Sequence, residues 1–326
     1  MNRIINNTPV YPIGLGCMNL SHAYGTPPSE SDAQALLHRA IDLGYNFFDT
    51  ATLYGFGTNE TLVGKTLKPF RNQIFLASKC GMGGVNGKRV IDGRPETILR
   101  QADESLQRLQ TDVIDLYYLH RWDKNVPIEE SVGALSRLVE QGKIRAVGLS
   151  EVSADTLSRA HAVHPITALQ TEYSLWTRNP EIAVLQKTRE IGAALVAFSP
   201  VARGFLGDVR DPSALEDKDI RRPMPRFSAE NYPANLQLRD RLQILADQAG
   251  CTAAQLGLAW LLAQQDNIIP IPGTTSIHHL EDNYAAASLN IAPEILQQAG
   301  ELINQSSVKG ARYPTATQTE IDTEEF

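Results

Sequence analysis

Short apolar runs recur along the chain, each followed by a stretch in which apolar residues repeat at helical spacing. The runs occupy residues 12–17, 46–49, 74–79, 113–120, 146–150, 168–173, 194–199 and 268–272. Several are apolar at consecutive positions, as expected of strands covered on both faces. Between them, residues 32–43 place Ala33, Leu36, Leu37, Ala40 and Ile41 on one helical face. Residues 95–109 open with Pro95, whose missing N–H is harmless in a first turn, and carry Ile98, Leu99, Ala102, Leu106 and Leu109. Residues 128–139 follow Pro127, and residues 180–191 run from Pro180 to Gly192, which suits a left-handed cap. Such alternation gives either a closed parallel barrel or an open doubly wound sheet. Eight strands favour the barrel. So does the lack of a G-x-G-x-x-G turn: Gly14 and Gly16 begin one, but position 19 is Asn, and Gly81, Gly83 and Gly84 miss the spacing. The pattern therefore predicts one α/β domain over residues 1–326, a (β/α)₈ TIM barrel.

Three segments lie outside the repeat. Residues 1–11 form a candidate β-hairpin with an Asn-rich turn, placed to plug the barrel bottom. Residues 201–235 contain Gly204, Gly207, Pro212, Pro223, Pro225 and Pro233 and predict a long irregular loop, a kind that usually serves function. Residues 306–326 are polar and end acidic, and predict a fraying C-terminal tail. A net charge of −7 argues against a nucleic-acid partner, which needs clustered cations. Cys17, Cys80 and Cys251 form no C-x-x-C pair, which fits buried thiols in a reducing compartment. No basic segment followed by an apolar run opens the chain, and the longest apolar stretch, residues 256–263, is too short for a bilayer. The expectation is a soluble cytoplasmic protein with no membrane partner. His161 with His164, and His278 with His279, lack a carboxylate-rich partner set, so no metal is expected.

Candidate chemistry lies at the strand ends. Barrels carry their active sites on the C-terminal face of the sheet. The second strand ends in Asp49, with Tyr54 five residues on; the third ends in Lys79 and the fourth in His120. Each alone fits a plain role: a turn cap, a packing ring, a strand exit, a satisfied polar end. Together they converge on one mouth. A buried Lys79 needs the counter-charge Asp49 can give. An ammonium beside Tyr54 lowers the phenol pKa from about 10 and lets it exchange a proton with a carbonyl or alcohol oxygen. His120 would hydrogen-bond and orient that oxygen. The set suits proton-coupled hydride transfer, whereas acyl transfer through a G-x-S-x-G serine has no counterpart here.

The chain resembles the aldo-keto reductase superfamily through GLGCMNLSHAYG (14–25), FFDTATLYG (47–55), LASK (76–79), DLYYLHRWD (115–123), GKIRAVGLSE (142–151), LQTEYSLW (169–176), VAFSPVARGFLG (196–207) and IPIPGTTSIHHLEDN (269–283). The motifs span nearly the whole chain in family order and look like the general bacterial and plant branch. The resemblance implies an NADP(H)-dependent reduction of aldehydes and ketones. In it Tyr54 acts as general acid, Lys79 tunes it, Asp49 pairs with Lys79, and His120 orients substrate. It also implies cofactor contacts. Ser150 and Gln170 would hold the nicotinamide carboxamide, with Glu151 standing where many relatives have Asn. Phe198 would stack on the nicotinamide. Ser199, Val201, Arg203 and Gly204 would fold over the pyrophosphate. Gly273, Thr274, Thr275 and Ser276 would offer a helix N-terminus to phosphate, and Asp282 and Asn283 would meet the adenine.

One departure concerns the cofactor's 2′-phosphate. Relatives that prefer NADPH carry Lys or Arg where Ser276 and His279 stand, and His279 is largely neutral at pH 7. Losing such a contact removes about 1.5–3 kcal/mol, so the resemblance implies NADPH with a weakened preference and some NADH use. Tyr24, Trp122 and Phe205 are the candidate substrate-pocket residues, and the partner is a small carbonyl or alcohol. The oligomeric state is open. A barrel serving as a cofactor-binding regulatory subunit with little turnover is the alternative, and a Schiff-base aldolase or isomerase is a third, disfavoured because Asp49 would hold Lys79 charged.

Overall fold

The computed structural model describes residues 2–85 and 87–326, so Met1 of the expected N-terminal hairpin lies outside the described residues. Two short strands, β1 (Arg3–Ile5) and β2 (Thr8–Val10), pair antiparallel. Asn6 and Asn7 turn the hairpin in the left-handed region, φ 48° and 60°, a conformation Asn tolerates better than other side chains. Eight parallel strands follow: β3 (Leu15–Gly16), β4 (Phe47–Asp49), β5 (Phe75–Cys80), β8 (Leu116–Leu119), β9 (Val147–Ser150), β10 (Ile166–Glu172), β11 (Ala194–Phe198) and β12 (Ile268–Pro270). They neighbour one another in that order, and Gly14 and Gly16 N–H groups donate to the carbonyls of Pro270 and Pro272 (2.9 and 3.2 Å), closing the sheet. The expected eight-stranded barrel is the observed fold.

The closing seam is thin for a covalent reason. Pro270 and Pro272 accept hydrogen bonds from Gly14 and Gly16 but have no N–H to return. The run at 12–17 is therefore a regular strand only at Leu15–Gly16. Close approach compensates. A Cβ on Gly16 would sit 2.8 Å from the Ile271 carbonyl, and one on Gly14 would sit 2.6 Å from the Phe47 ring.

Helices cover the outside. They are α1 (Glu30–Leu43), α2 (Thr58–Leu67), α3 (Pro95–Leu109), α4 (Ile128–Glu140), α5 (Ala154–Val163), α6 (Val184–Glu190), α7 (Tyr232–Ala249), α8 (Ala253–Gln264), α9 (Ile277–Ala285), α10 (Pro293–Leu302) and α11 (Thr315–Gln318). Capping side chains fix where several begin: Ser29 accepts from Asp32 N–H, Ser153 from Thr156 N–H, and Thr252 forms a reciprocal capping box with Gln255. The helix expected over 180–191 is split by non-helical Ala183 (φ −150°) into a short 3₁₀ turn and α6. Strand residues divide by parity. Phe47, Phe75, Leu116, Tyr118, Ala168, Val196 and Ile269 fill the barrel, and Ile5 and Val10 of the hairpin join them. The intervening Phe48, Leu76, Tyr117, Val147 and Leu169 face the helices.

Three segments differ from expectation. An antiparallel hairpin, β6 (Met82–Val85) with β7 (Lys88–Ile91), stands outside the repeat after β5. The long loop ends early, because α7 starts at Tyr232, and it contains 3₁₀ turns at Ala202–Gly204, Pro212–Ala214 and Pro225–Phe227. The C-terminal tail is tied down rather than frayed. Asp322 accepts from Ser153 and Thr156 (2.9 and 2.7 Å), Lys124 donates to the carbonyls of Thr319 and Ile321 (3.0 and 2.9 Å), and Arg312 is buried. Its polarity reflects specific pairing, which composition does not reveal. Among the described residues no helix is long and apolar enough to cross a membrane.

Because the Gly16 contact is with backbone, which cannot rotate away, Gly16→Ala should destabilise the barrel by about 1–3 kcal/mol. Urea denaturation checks this; an unchanged midpoint would show that the seam has slack.

Candidate active site

Strand parity carries the site. Asp49 is two residues beyond interior Phe47, Lys79 two beyond Ala77, His120 two beyond Tyr118, Gln170 two beyond Ala168 and Phe198 two beyond Val196. All five therefore belong to the last interior layer at the C-terminal mouth. A cavity of about 1080 Å³ opens there. Among its lining residues are Asp49, Tyr54 and His120, while Lys79 lies fully buried behind them.

The four residues are in contact. The Lys79 ammonium donates to Asp49 Oδ1, to the Thr50 carbonyl at 2.8 Å and to Tyr54 Oη at 3.1 Å. Gln170 donates to the other Asp49 oxygen at 2.8 Å. The Tyr54 and His120 rings meet edge-on, centroids 5.8 Å apart, and His120 Nδ1 is buried without a partner. Tyr54 is placed by a tight 3₁₀ turn, in which Gly55 and Phe56 are both left-handed (φ 56° and 51°). Behind it, Thr50 donates to Asn59, and Asn59 donates to the Cys17 carbonyl and Ser21 hydroxyl, pinning the turn to the loop after β3.

Electrostatics sets the protonation states. Burial works against the Lys79 charge, yet Asp49 and Tyr54 hold its pKa above the ordinary lysine value. Burial raises the Tyr54 pKa, and Lys79 opposes this without reversing it. The expected net lowering is thus not found in the protein alone: burial outweighs the nearby ammonium. The phenol is neutral near pH 7 and carries a proton to give. Burial, with Lys79, Arg121 and Arg89 adding to it, holds His120 well below its ordinary value, so its ring is neutral. A neutral phenol on an ammonium, beside a neutral imidazole, can protonate an oxygen and stabilise the phenolate left behind.

The other expected residues mostly share this cavity. Ser150, Gln170, Phe198, Ser199, Val201, Arg203, Gly204, Gly273, Thr274, Thr275, His279, Asp282, Asn283 and Tyr24 all line it. Ser199, Ala202 and Arg203 are left-handed (φ 48°, 52° and 56°), strain that bends the loop after β11 across the mouth. Ser276 is not on the wall; its hydroxyl caps α9. Two substrate-pocket expectations are corrected. Phe205 is fully buried and stacks on Trp176 at 4.0 Å, under the loop rather than in the cavity. Trp122 donates to the Val126 carbonyl at 2.9 Å and packs on the outer core. Met18, His22, Met82, Arg89, Arg121 and Tyr313 line the cavity without having been expected to. Arg121 had an available signal, being next to His120. Met82, Arg89 and Tyr313 had none, since the β6–β7 hairpin and the ordered tail were not expected.

A second charged cluster borders the first. Glu151, at the position expected to resemble an Asn of relatives, does not line the cavity. It accepts from Thr171 Oγ1 and Glu172 N–H, both at 2.9 Å, and pairs with Arg312. Glu172 accepts from Arg312 (2.9 Å) and Arg203 (2.6 Å), and Arg203 also donates to Tyr313 Oη at 2.9 Å. Burial opposes this carboxylate's charge, but Arg203 and Arg312 hold its pKa down to about 2.

Known proteins place this geometry. Residues 12–304 match the Aldo/keto reductase family. The chain is 42% identical to the Schizosaccharomyces pombe aldo-keto reductase yakc, whose name carries NADP(+), over 98% of this chain and 96% of that one. The structure resembles a glycerol dehydrogenase from Gluconobacter oxydans, with a TM-score of 0.86 and 27% identity over 96% of this chain and 98% of that one. It also resembles a Klebsiella pneumoniae aldo-keto reductase in complex with NADPH, with a TM-score of 0.73 and 26% identity over 97% and 99% of the two chains.

Two outcomes follow. The depressed His120 pKa means that the unfolded chain, with its imidazole near 6.5, takes up protons first as pH falls. Stability should therefore drop from about pH 6.5 downward. His22, also depressed, adds to the slope. Urea midpoints at about pH 7.5 and about pH 5.5 should converge partly in His120→Gln, and an unchanged slope would clear His120 of this role. Arg312→Met leaves Glu151 and Glu172 buried with too little positive charge, and should cost about 3–5 kcal/mol in the same assay.

Proposed function

The chain belongs to the aldo/keto reductase family, and on that premise we propose that it reduces aldehydes and ketones to alcohols with NADPH, Tyr54 giving the proton. The observation that supports this most is the Lys79–Tyr54 contact of 3.1 Å inside a cavity where His120 Nδ1 has no partner in the protein.

The residues present fit a dinucleotide. The cavity, at about 1080 Å³, slightly exceeds the usual range for small-molecule clefts, about 300–1,000 Å³, as an extended ligand requires. Its floor is cleared by glycine: a Cβ on Gly273 would lie 2.8 Å from Asn19 Oδ1 and 2.9 Å from the Gly16 carbonyl. The start of α9 borders it, a place that favours anions. By the resemblance, Ser150 and Gln170 hold the carboxamide, Phe198 stacks on the ring, and Ser199, Val201, Arg203 and Gly204 meet the pyrophosphate. The S. pombe and K. pneumoniae relatives, described with NADP(+) and NADPH, support the same cofactor class. On α9, Ser276 and His279 offer no permanent cation to a 2′-phosphate.

NADPH held by these residues would supply the hydride for the carbonyl carbon. Tyr54 donates its proton to the carbonyl oxygen, and Lys79 stabilises the phenolate that remains. Asp49 keeps Lys79 charged and fixes its position, while His120 orients the carbonyl through its neutral ring. Met18, Leu53 and Met82 cluster with Tyr54 and give that part of the cavity an apolar wall.

Tyr54→Phe removes the proton and leaves the shape. Its turnover, followed by loss of reduced-nicotinamide absorbance with a panel of small aldehydes and ketones, should fall by roughly 10²–10⁴. NADPH affinity should stay within about twofold, since each 1.4 kcal/mol is tenfold and no charge is lost. A Tyr54→Phe variant that keeps its rate would sink the assignment, and wild-type binding without turnover across the panel would favour a regulatory role.

A further inference from the structure

Arg239 carries a buried charge that the protein leaves mostly unanswered. It is 4% exposed, its Nη2 donates to the Gly207 carbonyl, and its Nε and Nη1 have no partner. The other arginines of the cavity wall are engaged. Arg89 pairs with Glu320, Arg203 with Glu172, Arg210 with Asp240 and Arg221 with Asp219, and Arg121 donates to the His120 carbonyl and Ser150. Burying a guanidinium without acceptors is costly, and the cost falls when an anion arrives. A guanidinium suits phosphate oxygens, and the Nε and Nη1 hydrogens of this one are not taken by the protein.

Position says which phosphate. Arg239, Gln243 and Asp247 lie four residues apart on α7, one face of which forms the cavity wall. The Gly207 that Arg239 holds precedes Asp208, whose carboxylate is 3.1 Å from His279 Nε2 on α9. Arg239 thus lines the cavity beside the Gly207–Asp208 turn, which reaches α9 through Asp208 and His279. We propose that Arg239 binds the 2′-phosphate of NADPH and so supplies, from α7, the cation that Ser276 and His279 do not. This rests on the reading of the chain as an NADPH-dependent reductase, and it replaces a weakened preference for NADPH with a firm one.

The test measures binding apart from turnover. Dissociation constants for NADPH, NADH, 2′,5′-ADP and 5′-AMP are taken by calorimetry for wild type, Arg239→Leu and Arg239→Lys. Arg239→Leu should weaken NADPH and 2′,5′-ADP by roughly tenfold to a hundredfold, while NADH and 5′-AMP stay within about twofold. Arg239→Lys should recover part of the loss. Equal weakening of NADPH and NADH, with a lowered melting temperature, would make Arg239 a strut for the Gly207 loop and overturn the proposal, as would unchanged NADPH binding. Should Arg239→Leu fail to fold, the NADPH-selective loss in Arg239→Lys decides alone. Wild-type protein that binds neither dinucleotide overturns the cofactor reading itself, and the assignment of Arg239 with it.

Discussion

The Lys79 ammonium has no water to fall back on. Its three hydrogens are taken by Asp49, the Thr50 carbonyl and Tyr54, which fills its donor capacity. A charge buried that deeply is tolerable only with this complete set, so the positions of all three acceptors are fixed at once. Asp49 passes the constraint to Gln170 on β10, across the barrel. The geometry of the candidate site is in this sense a by-product of satisfying one buried cation: β4, β5 and the turn carrying Tyr54 must meet where the ammonium needs them.

The second cluster does for the rim what Lys79 does for the centre. Glu151 and Glu172 sit at the ends of β9 and β10, and the arginines that neutralise them come from the loop after β11 and from the tail. Folding the barrel therefore creates two carboxylates that need cations, and meeting that need draws in two otherwise irregular segments. Arg203 and Tyr313 reach the cavity wall by this route. Order at the mouth comes from paired charge, with little help from regular backbone.

The sequence carried the barrel and the four central residues because both leave periodic traces. Doubly covered strands are continuous apolar runs, and Asp49, Lys79 and His120 are polar residues in phase with an apolar interior. Features without a period were not legible. The tail looked disordered because polar composition does not say whether partners exist, and Asp322 finds Ser153 and Thr156 only in three dimensions. Trp122 and Phe205, aromatic residues of the segment after His120 and of the long loop, are expected at the cavity, but their bulk is drawn to the cores beneath. The sign of the Tyr54 shift was missed because sequence shows the neighbouring Lys79 and hides the depth of burial. Arg239 occupies an ordinary polar position in an amphipathic helix, and only its missing partners set it apart.

The prolines at the seam also bear on how the barrel is assembled. Until β3 and β12 meet, the sheet is an open ribbon with two edges, and such edges are templates for pairing with other chains. At the end of β12 and just past it, Pro270 and Pro272 leave the exposed edge with acceptors and without the alternating donors that a foreign strand would require. Gly14 and Gly16 meet those acceptors at a spacing that a bulkier strand could not reach. The same chemistry that limits the seam to sparse bonding makes it selective: an unfinished barrel is a poor nucleus for aggregation, and its free edge is matched to the strand from its own chain.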